Sequence, residues 1–142
     1  MSSHGFEVTK HYLGLETAWK AEFTHGKGGR VVGVNSEMDA LPGIGHGCGH
    51  NLIAISGVGV ALAIRAALRA HNIPGKVILL GTPGKKLPAS AEDVADVVGC
   101  IAEEAGGGKA ILLERGAYKK MDFCLMYSLL NPWILTADEP CV

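Results

Sequence analysis

The densest group of reactive side chains lies on one short, glycine-rich segment that runs from Asp39 to Asn51. This segment contains one carboxylate and two imidazoles, and the thiol of Cys48 lies two residues before the imidazole of His50. Cysteine, histidine and carboxylate side chains are the ligands that zinc prefers, and an extended backbone would direct residues 48 and 50 to one side. The spacing alone leaves two interpretations open, which are a metal site and a glycine-rich turn that carries these side chains incidentally.

The second candidate is the adjacent pair Glu103 and Glu104, which is followed by three consecutive glycines. Adjacent carboxylates can divide the work at a metal site, because one can bind the metal while the other moves a proton. The alternative is a solvated acidic pair before the next helix, and the pair considered alone favours this alternative. The glycines that follow do not have the spacing of a phosphate-binding loop.

The elements that would position these residues alternate between strand and helix patterns. Residues 17–24 and 30–36 have strand patterns and are expected to form a hairpin through the glycine-rich turn between them. The remaining pattern predicts a mostly buried helix over 52–70, an interior strand over 76–82, a short helix over 109–114 and a buried strand over 122–126. This order predicts an α/β fold with a sheet that is at least partly parallel.

Composition restricts the class of protein. The chain has 142 residues, which suits one domain, and its formal net charge of −1 argues against a nucleic-acid groove and against a basic membrane-binding surface. The four cysteines fit no disulfide framework, so we expect a cytoplasmic protein with reduced thiols. The longest uncharged stretch, residues 51–64, is too short to cross a bilayer core of about 30 Å as a helix. No membrane and no nucleic acid are therefore expected as partners.

Three motifs together carry a family resemblance. They are E-M-D-A-L-P at 37–42, G-H-G-C-G-H-N-L at 45–52, and A-E-E followed by glycines from 102. The chain resembles the aminoacylase-like amidohydrolase branch of the dinuclear zinc exopeptidase family over about residues 4–83 and 102–126. The resemblance implies a fragment of the three-layer α/β catalytic domain of that family, with a mixed, partly parallel sheet and without the lid domain.

The resemblance also implies a role for each candidate residue. Cys48 and His50 match metal ligands, Glu104 matches a carboxylate ligand, and Glu103 matches the general base that activates water. Asp39 matches an acidic residue beside the site that orients a histidine ligand. The family binds one or two divalent ions, and a thiolate ligand favours zinc over manganese or cobalt. The implied reaction is hydrolysis of an amide bond in a small N-acyl amino acid or dipeptide.

The chain also departs from the family pattern. Residues 1–142 match one partial catalytic domain, in which residues 84–101 are an insertion and residues 129–142 form an unpatterned tail. The ligand histidine expected near Ser128 is missing, as are the lid and the last ligand. We therefore expect impaired or absent activity and a metal site that can stand empty. The alternative is a non-catalytic remnant that binds a metal or a partner, and exposed sheet edges predict self-association.

Overall fold

The computed structural model describes residues 1–38, 40, 46, 49–83 and 108–127. These residues form five strands and two α-helices, preceded by short 3₁₀ turns near the N-terminus. In chain order the elements are β1 (Glu7–Lys10), β2 (Trp19–His25), β3 (Arg30–Glu37), α1 (His50–Ala70), β4 (Gly75–Thr82), α2 (Gly108–Glu114) and β5 (Phe123–Leu125). The predicted helices and the predicted strand before residue 83 are therefore present.

The five strands form one mixed sheet in the order β1-β2-β4-β3-β5. β2 pairs antiparallel with both β1 and β4, whereas β3 pairs parallel with both β4 and β5. The prediction of an α/β fold with a mixed, partly parallel sheet is confirmed.

The predicted hairpin between β2 and β3 is wrong, because β4 lies between them. Val34 of β3 and Ala21 of β2 both pair with Leu79 of β4. β4 takes the central position because its apolar side chains are buried on both faces of the sheet. The glycine-rich turn instead passes the start of β4, where a Cβ at Gly29 would lie 1.9 Å from the carbonyl oxygen of Pro74.

α1 covers one face of the sheet with a narrow stripe of small and apolar residues. Ile53, Gly57 and Ala61 are its buried residues, and they lie against β3 and β4. The expectation of a mostly buried helix is wrong, because Leu52 and Ile55 are 52% and 63% exposed. Among the described residues only the sheet packs against α1, so its opposite side stays open.

α2 and the turn after it cover the other face. Leu112 and Ala117 are buried there against Ile78 and Leu80 of β4. Helices therefore lie on both sides of the sheet, as in the three-layer arrangement that the resemblance implied. The last strand is shorter than predicted and is exposed rather than buried, because β3 is its one neighbour among the described strands.

α1 is the one helix in the described part of the chain with the length and apolar composition to cross a membrane. It has 21 residues, so it is longer than the uncharged stretch recognised in the sequence. Core helices of soluble proteins pass the same test of length and composition, and α1 contacts three strands of the sheet. Its composition alone is therefore weak evidence for a membrane span.

Candidate functional site

The described part of the site lies where the parallel strands β3 and β4 end. Glu37 and Thr82 are the last residues of these strands and pair with each other in the sheet. Ligands of open α/β sheets bind outside the carboxyl ends of the parallel strands, so this edge is the expected place for a site. The first turns of α1 and α2 meet at the same edge, on opposite faces of the sheet.

Glu37 connects these two first turns. Its side chain is 6% exposed, and its Oε2 lies 3.7 Å from Nε2 of His50. Its other oxygen, Oε1, forms an ion pair with the ammonium group of Lys109. A buried carboxylate requires such partners, because burial without them is costly. The two oxygens of Glu37 therefore face the starts of two different helices.

Gly49 sets the position of His50. Gly49 is the N-cap of α1 and has a φ of 71°, in the left-handed region that favours glycine. Its carbonyl oxygen accepts hydrogen bonds from the backbone N–H groups of Leu52 and Ile53, at 2.8 and 3.2 Å. The helix can therefore begin immediately after a sharp change of chain direction, with its first side chain directed toward Glu37.

A close backbone contact sets the position of Lys109. The N–H of Gly108 donates to the carbonyl oxygen of Pro83 at 3.0 Å, and a Cβ at Gly108 would lie 2.2 Å from that oxygen. Only glycine fits this approach, which brings the start of α2 against the end of β4. Because Pro83 and Gly108 flank residues 84–107, the chain on both sides of that segment meets at the site.

A second polar contact lies on the α2 face, two residues before Glu37 in β3. The hydroxyl of Tyr118 donates to Oδ1 of Asn35 at 3.0 Å. Burial raises the pKa of Tyr118, and the nearby Cys124 and Glu37 act in the same direction. The phenol therefore remains a neutral hydrogen-bond donor at physiological pH.

Three relatives match most of this chain but only part of their own length. The Xaa-Arg dipeptidase of Mus musculus is 43% identical over 122 residues, which are 81% of this chain and 24% of the relative. The Xaa-Arg dipeptidase of Homo sapiens is 44% identical over 130 residues, which are 84% of this chain and 26% of the relative. A p-aminobenzoyl-glutamate hydrolase subunit from Escherichia coli (strain K12) is 28% identical over 144 residues, covering 89% of this chain and 26% of the relative.

Two solved structures share the fold. The YXEP protein of Bacillus subtilis, described as a dinuclear metal binding peptidase from the M20 family, has a TM-score of 0.61 at 22% identity. The match covers 87% of this chain and 32% of that protein. A putative aminohydrolase from methicillin-resistant Staphylococcus aureus has a TM-score of 0.56 at 23% identity, covering 87% of this chain and 31% of that protein. No family model matches the chain.

The chain belongs to the aminoacylase-like branch of the M20 peptidases. The suspected family is therefore confirmed. This M20 chain spans about a quarter of the length of the curated relatives that it matches, at 24% and 26% of the two dipeptidases.

Of the site residues predicted from the sequence, the structure describes His50. Asp39, Cys48, Glu103 and Glu104 lie outside the described residues, as do the insertion at 84–101 and the tail at 129–142. Within the described ranges no group of three or more histidine, cysteine, aspartate and glutamate side chains could hold a metal ion. The ligand roles assigned from the sequence therefore remain predictions.

The described residues nevertheless fit one part of a metal site. A histidine ligand commonly has a carboxylate beside its ring, which fixes the orientation of the imidazole. The buried Glu37 lies beside His50 in this way. Sequence reasoning gave that role to Asp39 and missed both Glu37 and Lys109. The strand pattern ending at Glu37 carried a signal, because a charged residue at the end of a buried strand needs a partner.

Proposed function

We propose that this chain carries part of the centre of a metal-dependent amidohydrolase or peptidase that cleaves the amide bond of an N-acyl amino acid or dipeptide. One observation carries the proposal. The buried pair of Glu37 and His50 lies at the carboxyl ends of parallel strands, inside a stretch that is 43% and 44% identical to two dipeptidases. A cytoplasmic location is part of the proposal, because the cysteine spacing fits no disulfide framework.

The proposed metal ligands are Cys48, His50 and Glu104, and zinc suits this donor set better than manganese or cobalt. A divalent ion held there supplies Lewis acidity toward the scissile carbonyl. Glu103 takes a proton from the attacking water and returns it to the leaving amine. Glu37 holds the imidazole of His50 in a fixed orientation, and Asp39 is the second carboxylate proposed for such a role.

The proposed substrate is a small molecule with one amide bond and a free carboxylate. Two of the relatives are named for a dipeptide that ends in arginine, and the third is named for an acylated glutamate. Both types of compound place an amide next to an amino-acid carboxylate. This shared part of the substrate is what we propose for the present chain.

A second candidate function is a non-catalytic protein that binds a metal or a partner. The observation that favours it is the distribution of histidines, because none follows His71 and Ser128 stands where the resemblance places a ligand. A centre with fewer ligands can hold one ion without completing the arrangement that hydrolysis needs. Self-association through exposed sheet edges remains a prediction under either function.

Zinc and cobalt binding by the purified chain tests the proposal, together with turnover of an Xaa-Arg dipeptide before and after chelation. We expect His50→Ala and Cys48→Ser to weaken metal binding by about 10-fold or more. His71→Ala is the matched control, because His71 is exposed immediately after the last residue of the same helix. Turnover that is lost on chelation supports the enzyme, and bound metal without turnover supports the second function. Unchanged metal binding in His50→Ala would overturn the proposed centre.

A further inference from the structure

The ion pair between Lys109 and Glu37 has no role in the ligand set proposed above. Lys109 lies in the first turn of α2, whereas His50 begins α1 on the opposite face of the sheet. Neither residue was recognised as a partner of Glu37 in the sequence. Their connection through one carboxylate is therefore a feature that only the folded chain shows.

The carboxylate of Glu37 needs an anchor to hold one orientation. The terminal torsion of a glutamate side chain has broad, roughly two-fold preferences, so the carboxylate plane is not fixed by the chain alone. The ammonium group of Lys109 fixes Oε1, and this contact leaves Oε2 at 3.7 Å from Nε2 of His50. The orientation of the carboxylate toward the imidazole thus depends on a residue that does not touch the imidazole.

Lys109 is itself held in place. Its side chain is 23% exposed, and its Nζ also lies 3.6 Å from Sδ of Met126. The backbone just before it is fixed by the hydrogen bond from Gly108 to Pro83. A long side chain with a fixed base and two contacts at its tip loses most of its freedom before a metal arrives. This is the preorganisation that a residue supporting a ligand requires.

We propose that Lys109 is a positioning residue for the metal centre: it fixes the Glu37 carboxylate, which in turn orients the imidazole of His50. This inference rests on the proposed function for the value of that orientation. It adds a contribution from α2 to a ligand that α1 carries.

The test compares Lys109→Met with Lys109→Arg and with Lys76→Met in the full chain. Lys76→Met is the matched control, because Lys76 forms an ion pair with Glu22 at the opposite end of β4, 3.3 Å between Nζ and Oε1. The first readout is the pair of ring nitrogen NMR signals of His50 without metal. The second is the affinity for Co²⁺, measured by its absorption spectrum and by competition with a chelator.

We expect Lys109→Met to shift the ring signals of His50 and to weaken Co²⁺ binding by about 10- to 100-fold. Lys109→Arg keeps the positive charge, and it should restore most of the affinity. Lys76→Met should leave both readouts unchanged. Ring signals that do not move in Lys109→Met overturn the inference, whatever the metal affinity.

The two readouts also separate this inference from the proposed function. If the wild-type chain binds no Co²⁺, the proposed centre fails, while the ring signals still decide whether Lys109 positions His50. If Lys109→Met does not fold, the double variant Glu37→Gln with Lys109→Met removes both charges of the buried pair. Ring signals in that variant that match the wild type would contradict the inference.

Discussion

At the scale of single residues, two carboxylates hold β3 at its opposite ends. Glu37 lies at the end of the strand, and Asp122 lies beside its start. Oδ2 of Asp122 accepts a hydrogen bond from the N–H of Val31 at 2.6 Å, and Oδ1 lies 3.2 Å from the guanidinium of Arg30. The N–H of Asp122 also donates to the carbonyl oxygen of Val31 at 2.9 Å. Asp122 therefore joins β5 to the beginning of β3.

Asp122 should make stability depend on pH in the acidic range. The hydrogen bond from Val31 and the contact with Arg30 lower the pKa of Asp122 below its ordinary value of 3.8. Its contribution is therefore present above the pKa of the unfolded chain and is lost as the pH falls through the folded value. We expect the urea midpoint to fall between about pH 5 and about pH 2, and to fall less in Asp122→Asn.

Glu7→Gln is the control for this measurement, because Glu7 is an exposed carboxylate in β1, away from Asp122. Its acid profile should follow that of the wild type. The same acid profile in Asp122→Asn as in the wild type would contradict the assigned role of Asp122.

At the scale of elements, the approach of α1 to β3 depends on one of its two glycines. A Cβ at Gly57 would lie 2.8 Å from the carbonyl oxygen of Asn35 and 3.1 Å from Cβ of Ser36. A Cβ at Gly59 meets no described atom within 4 Å. The sequence suggested that both glycines permit close approach, but only Gly57 faces the sheet.

Alanine at these two positions should change stability in opposite directions. Gly57→Ala forces the helix away from a backbone oxygen and should lower the free energy of unfolding by about 1–3 kcal/mol. Gly59→Ala enters open space and should raise it by up to about 1 kcal/mol, because alanine favours the helix. Urea unfolding of the two variants tests this pair. Equal effects would mean that α1 does not pack on β3 through Gly57.

The sequence predicted those elements whose pattern lies within their own residues. The apolar run of β4 and the helix patterns of α1 and α2 were sufficient for this reason. Strand pairing was not predictable in the same way, because burial of β4 on both faces decides which strands become neighbours. The exposure of α1 and β5 depends equally on what packs against them.

The candidate site divides along the same line. His50 was recognised because its residue type and its distance from Cys48 are visible within one loop. The contact between Glu37 and Lys109 joins two distant parts of the chain, and the folded backbone creates it. A carboxylate that ends a strand is recognisable in the sequence, but its partner is not.

At the scale of the whole molecule, two apolar cores share β4. Leu79 packs with the residues under α1, and Leu80 packs with those under α2. Both side chains are fully buried. Because adjacent residues of one strand serve opposite cores, the described chain should unfold as one cooperative unit.

Leu79→Ala and Leu80→Ala should therefore each lower the free energy of unfolding by about 2–5 kcal/mol. Circular dichroism and tryptophan fluorescence should report the same urea transition in each variant. Leu113→Ala is the control, since Leu113 is 64% exposed and should cost less than about 0.5 kcal/mol. A small effect of Leu80→Ala alone would show that the core under α2 contributes little to stability.

The insertion of β4 between β2 and β3 has a consequence for synthesis on the ribosome. Both strands emerge before β4, so a nascent chain that has not reached Gly75 lacks the strand that joins them. Closing the sheet then requires contacts between parts of the chain that are far apart, which slows folding. Until that step, the edges of β2 and β3 that β4 will cover are open to pairing with other chains, and chaperones would have to act during this interval.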